Sequence, residues 1–176
     1  SDSDAEFNLG VTVGVSQAGQ ALADLTGTVH VTVDAVADIP TLTLTGAAAG
    51  NANTAIALPD IAAALHDTDG SETLSLTISG VPSGATLSAG TNQGGGVWSL
   101  SGLSQAQLDA LTLTPPSGYS GTFNLTVTAT AHEGATVAGG GDLLDADNPA
   151  RTAESFGVLG NAVPSGGTAS NHVSED

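Results

Sequence analysis

Apolar residues recur at every second position in six separate stretches of this chain: Val11-Thr-Val13, Val29-His-Val-Thr-Val33, Leu42-Thr-Leu44, Leu74-Ser-Leu-Thr-Ile78, Leu111-Thr-Leu113 and Phe123-Asn-Leu-Thr-Val127. Successive side chains of a strand point to opposite faces, so each stretch has one apolar face and one lined mainly with Ser and Thr. That is the pattern of half-buried antiparallel strands, and a helical period of 3.6 fits none of them. Turn-forming clusters separate the stretches: Gly80-Val-Pro-Ser-Gly84, Asn92-Gln-Gly-Gly-Gly96 and Pro115-Pro-Ser-Gly-Tyr-Ser-Gly121. About seven short strands, expected at 40–46, 54–65, 73–79, 85–100, 110–114, 122–131 and 152–158, predict an all-β sandwich. Two stretches, 59–65 and 104–110, are short enough for single helical turns, the second with Ser104 as its N-cap.

Composition narrows the partners. One basic residue against 18 acidic ones gives 1 − 18 = −17 over 176 residues, so phosphate backbones and anionic lipid surfaces would repel the chain. A nucleic-acid partner is excluded on that ground. No apolar run approaches the ~18 residues that span a bilayer, which argues against membrane insertion. The absence of Cys removes disulfides and thiolate metal sites. With three Phe, one Trp and one Tyr, the core must come from Val, Leu, Ile, Thr and Ala. The opening Ser-Asp-Ser-Asp-Ala-Glu lacks the features of a secretion signal, and the expectation is a piece of a longer polypeptide.

The chain also repeats itself. Phe7-Asn-Leu-Gly-Val-Thr-Val13 matches Phe123-Asn-Leu-Thr-Val-Thr-Ala129 at an offset of 123 − 7 = 116 residues, and each copy precedes a loop and a further extended segment. Residues 1–33 therefore read as the C-terminal strands of a preceding repeat, 34–38 as a joint, 39–158 as a whole domain, and 159–176 as a flexible tail or the start of an interrupted segment. Pro40 suits the first position of a strand because it cannot donate to a ladder.

Counting strand directions from the joint brings the 66–72 loop and the 132–151 loop to the pole that carries it. Those loops hold the acids: Asp67, Asp69 and Glu72 in the first, Glu133, Asp142, Asp145 and Asp147 in the second, with Asp34 and Asp38 converging from the joint. So many carboxylates near one pole, with Arg151 the nearest base, repel unless cations sit among them. Hard oxygen donors in Gly-bearing loops favour Ca2+, which takes six to eight oxygens, over Mg2+, which keeps its waters. The expected metal ligands are Asp34, Asp38, Asp67, Asp69, Glu72, Glu133, Asp145 and Asp147. Asp67-Thr-Asp-Gly70 opens like an EF-hand loop but lacks its remaining ligands. The plain alternative is solvated loop charge.

No pattern of a hydrolase nucleophile, zinc protease or P-loop is present, and the chain is not expected to be an enzyme. The four His read as surface residues, and too few aromatics accompany the carboxylates to hold a sugar in a glycosidase cleft. Gly139-Gly-Gly-Asp-Leu-Leu144 is one degenerate copy of a calcium nonapeptide and cannot stack, so it reads as loop. Tyr119 is placed like a tyrosine corner, its hydroxyl bonding backward to backbone; Trp98 is expected in the core.

Several stretches together resemble the extender repeats of giant RTX adhesins exported by type I secretion: Asp67-Thr-Asp-Gly-Ser-Glu-Thr-Leu-Ser-Leu-Thr-Ile-Ser-Gly-Val-Pro-Ser-Gly-Ala-Thr-Leu87, Trp98-Ser-Leu100, the run from Leu111 through Pro115-Pro-Ser-Gly-Tyr119 to Leu125, and the joint Val33-Asp-Ala-Val-Ala-Asp38. The resemblance covers about residues 29–132. It implies an immunoglobulin-like or cadherin-like sandwich, Ca2+ held at the joints, neighbouring repeats of the same polypeptide as partners, display on the extracellular surface of a bacterium, and a role in attachment and biofilm. The alternative is a Ca2+-dependent or split domain near the adhesin tip that binds a host or biofilm glycan or peptide. No second Val-Asp-x-Val-Ala-Asp follows Phe156, which departs from the family pattern.

Overall fold

The computed structural model describes residues 5–33, 36–51, 53–67, 70, 72–134 and 149–161. Its elements are β1 (Ala5–Val13), β2 (Ser16–Gln17), β3 (Gln20–Ala21), β4 (Leu25–Val33), β5 (Thr41–Thr45), β6 (Ala48–Asn51), β7 (Ile56–Ala57), β8 (Asp60–Ala64), β9 (Glu72–Ser79), β10 (Thr86–Leu87), β11 (Thr91–Gly94), β12 (Val97–Ser99), α1 (Gln105–Asp109), β13 (Thr112–Thr114), β14 (Gly121–Glu133) and β15 (Ala150–Asn161). The fold is all-β, with antiparallel pairing dominant. No helix among the described residues is long and apolar enough to cross a membrane.

The chain forms two compact units: 1–41, 63–75 and 129–152 make the first, and 42–62, 76–128 and 153–176 the second. The first collects the joint, the 66–72 loop and the end of β14, the segments that strand parity assigned to one pole. It also contains the β1–β4 ribbon, paired antiparallel from Ala5↔Val33 to Val13↔Leu25. A small β2–β3 ribbon caps it, turning at Ala18 and Gly19, both at positive φ (49° and 82°). Two left-handed residues between Gln17 and Gln20 make the tight turn whose twist suits a hairpin.

The second unit holds the sandwich core. One sheet runs β11-β12-β9-β14-β15-β6 and another β10-β13-β7. Alternation decides which side chains go in: Leu125 and Val127 of β14 are fully buried, as are Ile78, Leu113 and Val158. Each such side chain contributes about 1.5–3 kcal/mol of burial. Gly95 and Gly96, both at positive φ (60° and 78°), form the two-residue turn of the β11–β12 hairpin, and Trp98, opposite Ile78, lies buried as expected. Ser104 precedes α1, its N–H and Oγ both 3.0 Å from Gln107 Oε1. That is half of a capping box, and it starts the helix where the sequence places it.

Four expectations need correction. Residues 54–65 are not one strand but β7 and β8, interrupted at Leu58 and Pro59. The helical turn at 59–65 is instead β8, because pairing with β5 overrides the helix preference of its alanines. Tyr119 bonds forward, its hydroxyl donating to Thr122 O at 3.4 Å, while its ring meets Phe123 edge-on at 5.5 Å. Finally, β15 runs to Asn161, past the expected start of the tail, by pairing in parallel with β6. The remainder of the tail, 162–176, lies outside the described residues.

Candidate metal centre

Glu72 is the first residue of β9 and falls in phase with Leu74, Leu76 and Ile78. Strand parity therefore turns its carboxylate toward the apolar face, and it is buried to 7 % exposure. One oxygen is satisfied: Asp38 donates its backbone N–H to Glu72 Oε1 at 2.6 Å. The other, Oε2, is buried with no hydrogen-bond partner among the described residues. Leaving such a group unpaired costs about 1–3 kcal/mol, more when it is charged.

The joint is held at this point by Ala37 and Pro40, buried on either side of half-buried Asp38. The Asp38 side chain turns to His66, whose Nδ1 lies 3.3 Å from Asp38 Oδ2. Both side chains remain substantially exposed, at 41 % for Asp38 and 72 % for His66, so the contact contributes little stability by itself. Asp67 follows and is half-buried.

A second set of contacts ties the start of β9 to the end of β14. Thr73 Oγ1 donates to His132 O at 3.5 Å, and Ser75 Oγ lies 3.2 Å from His132 Nε2 and donates to Thr130 O at 3.4 Å. Glu133 ends β14, its Oε1 accepting the Gly134 N–H at 2.9 Å.

Of the eight expected ligands, the structure brings Asp38 and Glu72 into direct contact. Asp67 and Glu133 belong to the same unit, but no three acidic or imidazole groups among the described residues gather closely enough to hold an ion. Asp34, Asp69, Asp145 and Asp147 lie outside the described residues, as does Asp142. Among the described residues the oxygen donors at this point are the buried Glu72 carboxylate, with Oε2 unpartnered, and the half-buried Asp38 beside it. Two features escaped the sequence reading. The burial of Glu72 was signalled by its phase with Leu74 and Leu76, and the approach of His66 to Asp38 by the position of His66 at the start of the 66–72 loop, though which carboxylate it meets had no local signal.

A cavity of about 380 Å3 opens in the second unit beside the β11–β12 hairpin, lined by Val81, Pro82, Gly84, Gly94, Gly96 and Trp98 among others. It has no charged lining residue and is unrelated in chemistry to the acidic set. Comparison with known proteins finds no family model that matches the chain and no matching curated protein.

Proposed function

We propose that the chain is a calcium-rigidified structural module of a large bacterial surface adhesin, an extender that supports attachment and biofilm formation rather than an enzyme. The observation that carries this reading is the buried Glu72 carboxylate, bonded through one oxygen to the joint and, among the described residues, unpaired at the other. Glu72 and Asp38, with Asp34, Asp67 and Asp69 of the same two segments, are the residues that would hold Ca2+; Glu133, Asp145 and Asp147 would add to them from the second acidic loop. Bound there, the ion supplies the positive charge that this acidic chain lacks. The resemblance of residues 29–132 to extender repeats supports the same reading, with neighbouring repeats as partners and the extracellular cell surface as its place. Without the cation, like charges push the joint from the domain and leave a hinge.

The test is thermal unfolding followed by circular dichroism in EDTA, in Ca2+ and in Mg2+. Extracellular modules bind Ca2+ at about 10⁻⁴ to 10⁻³ M. Then 10 mM Ca2+ stabilises the folded state by about 1.4–2.7 kcal/mol, a Tm rise of roughly 3–10 °C. No rise, or an equal rise in Mg2+, removes the calcium mechanism.

A second reading, capture of a glycan or peptide, has one observation in its favour: the uncharged cavity beside Trp98. Glycan and peptide arrays that remain blank in Ca2+ count against it.

A further inference from the structure

The β1–β4 ribbon presents an uncovered apolar face. Antiparallel register places Phe7 opposite Val31, Leu9 opposite Val29, and Val13 opposite Leu25, all on one side. Phe7, Leu9, Val11, Val13, Leu25 and Val29 are between 41 % and 67 % exposed. The opposite side is polar, with Asn8 facing His30 and Thr12 facing Thr26. Only one formally charged residue, Asp24, lies within residues 7–33 of a chain of net charge −17, so this ribbon has little to keep it in water. Two strands alone are at best marginally stable, and a hydrophobic face needs a covering layer.

The chain itself shows what such a layer looks like. At the 116-residue offset, Leu9, Val11 and Val13 correspond to Leu125, Val127 and Ala129 of β14, and those three are fully buried. Leu125 and Val127 lie in the same unit as the buried Ile56, Leu87 and Leu113 of the β10-β13-β7 sheet. The edges correspond too. β14 pairs with β15 as β1 pairs with β4, yet β14 is also bonded to β9 and β15 to β6, whereas among the described residues β1 and β4 have only each other. The ribbon thus has the sequence and pairing of a sandwich's last two strands, and among the described residues no further strand pairs with it.

We propose that the Phe7, Leu9, Val11, Val13, Leu25 and Val29 face docks against strands of another repeat that correspond to residues 37–120 here, with an alternating Leu and Ile inner layer like that of β7, β10 and β13. The ribbon and those strands close one sandwich, so the acidic joint leaves a closed sandwich rather than a loose arm. A second copy of the ribbon is the weaker occupant, because it brings no flanking strands and draws together two chains of charge −17. The inference deepens the repeat part of the proposed function and is independent of calcium, so the melt described above and the test below can fail separately.

The test is amide hydrogen exchange, read peptide by peptide, on the 176-residue chain and on a tandem form with residues 37–120 placed directly before Ala5. This junction reproduces the connection that leads into β14. In the chain alone, amides of β1 and β4 should exchange within about tenfold of unstructured peptide, because an undocked ribbon opens easily. In the tandem form they should gain at least about 100-fold protection and approach β14, which serves as the internal reference for folding. Leu9→Asp should abolish that gain, and Asn8→Asp, on the polar side, should keep it. Unchanged exchange in the tandem form overturns the proposal, whether or not the added strands fold. So does concentration-dependent protection of the ribbon in the 176-residue chain with a matching dimer in sedimentation, since the occupant is then a second copy.

Discussion

The backbone N–H of Asp38 and the carboxylate of Glu72 are joined by a 2.6 Å hydrogen bond across 34 residues of chain. It pins the segment entering the domain to the first residue of a core strand, and the other carboxylate oxygen has no partner among the described residues. The unpaired oxygen makes Glu72 the residue whose replacement separates structural from metal-dependent stability.

Glu72→Gln keeps an acceptor for the Asp38 N–H and removes the charge. In EDTA the variant should melt no lower than the parent, because a buried carboxylate is lost with its desolvation cost. In 10 mM Ca2+ its Tm gain should fall below roughly 2 °C. A gain equal to the parent's places the ion elsewhere.

Replacing both joint carboxylates, Asp34→Ala with Asp38→Ala, removes two of the charges proposed to bridge the joint while leaving the Asp38 N–H to Glu72 intact. Small-angle scattering should then show no calcium-dependent change in maximum dimension, whereas the parent should stiffen. Equal stiffening in both would remove the joint from the mechanism.

The two copies of the repeated motif should respond oppositely to truncation. Leu125 is fully buried, and Leu125→Ala should cost about 3–5 kcal/mol in urea unfolding, the usual range for a leucine cavity. Leu9, its counterpart at 53 % exposure, should tolerate the same change within about 0.5 kcal/mol.

The strands were legible where the sequence alternates. β5, β9, β13 and β14 lie where Leu42, Leu74, Leu111 and Phe123 begin their period-two runs. What stayed hidden depends on partners rather than on local pattern. Ala48–Asn51 has no β-branched or aromatic residue, so nothing local marks it as a strand, and only β15 makes it one. Asp60–Ala64 reads as a helical turn until β5 pairs with it. Of the candidate site, strand parity made legible the approach of the joint at Asp38 to Glu72 at the end of the 66–72 loop; residues 135–148 of the second acidic loop lie outside the described residues. That Glu72 turns inward follows from the same parity carried two residues ahead of Leu74, against the solvated look of Asp-Gly-Ser-Glu.

Two glycines at positive φ should separate strain from collision. Gly80 (φ 84°) has Asn124 O within the space a Cβ would occupy, while Gly94 (φ 87°) has nothing within 4 Å. Gly94→Ala should cost about 1–2 kcal/mol, the price of a left-handed L-residue. Gly80→Ala should cost about 3 kcal/mol or more, because backbone must also move. Equal losses in denaturant melts would show that the two backbones relax alike.

The parallel pairing of Ala48–Asn51 with Val158–Asn161 also sets an order of events. Its partners lie 158 − 48 = 110 residues apart, so this edge of the sheet has no template until nearly the whole domain has emerged from the ribosome. Contacts of such long sequence separation form slowly. The N-terminal ribbon, whose pairings are local, can zip up during synthesis, whereas the sandwich closes only after β15 is released, leaving the nascent chain threadable until then.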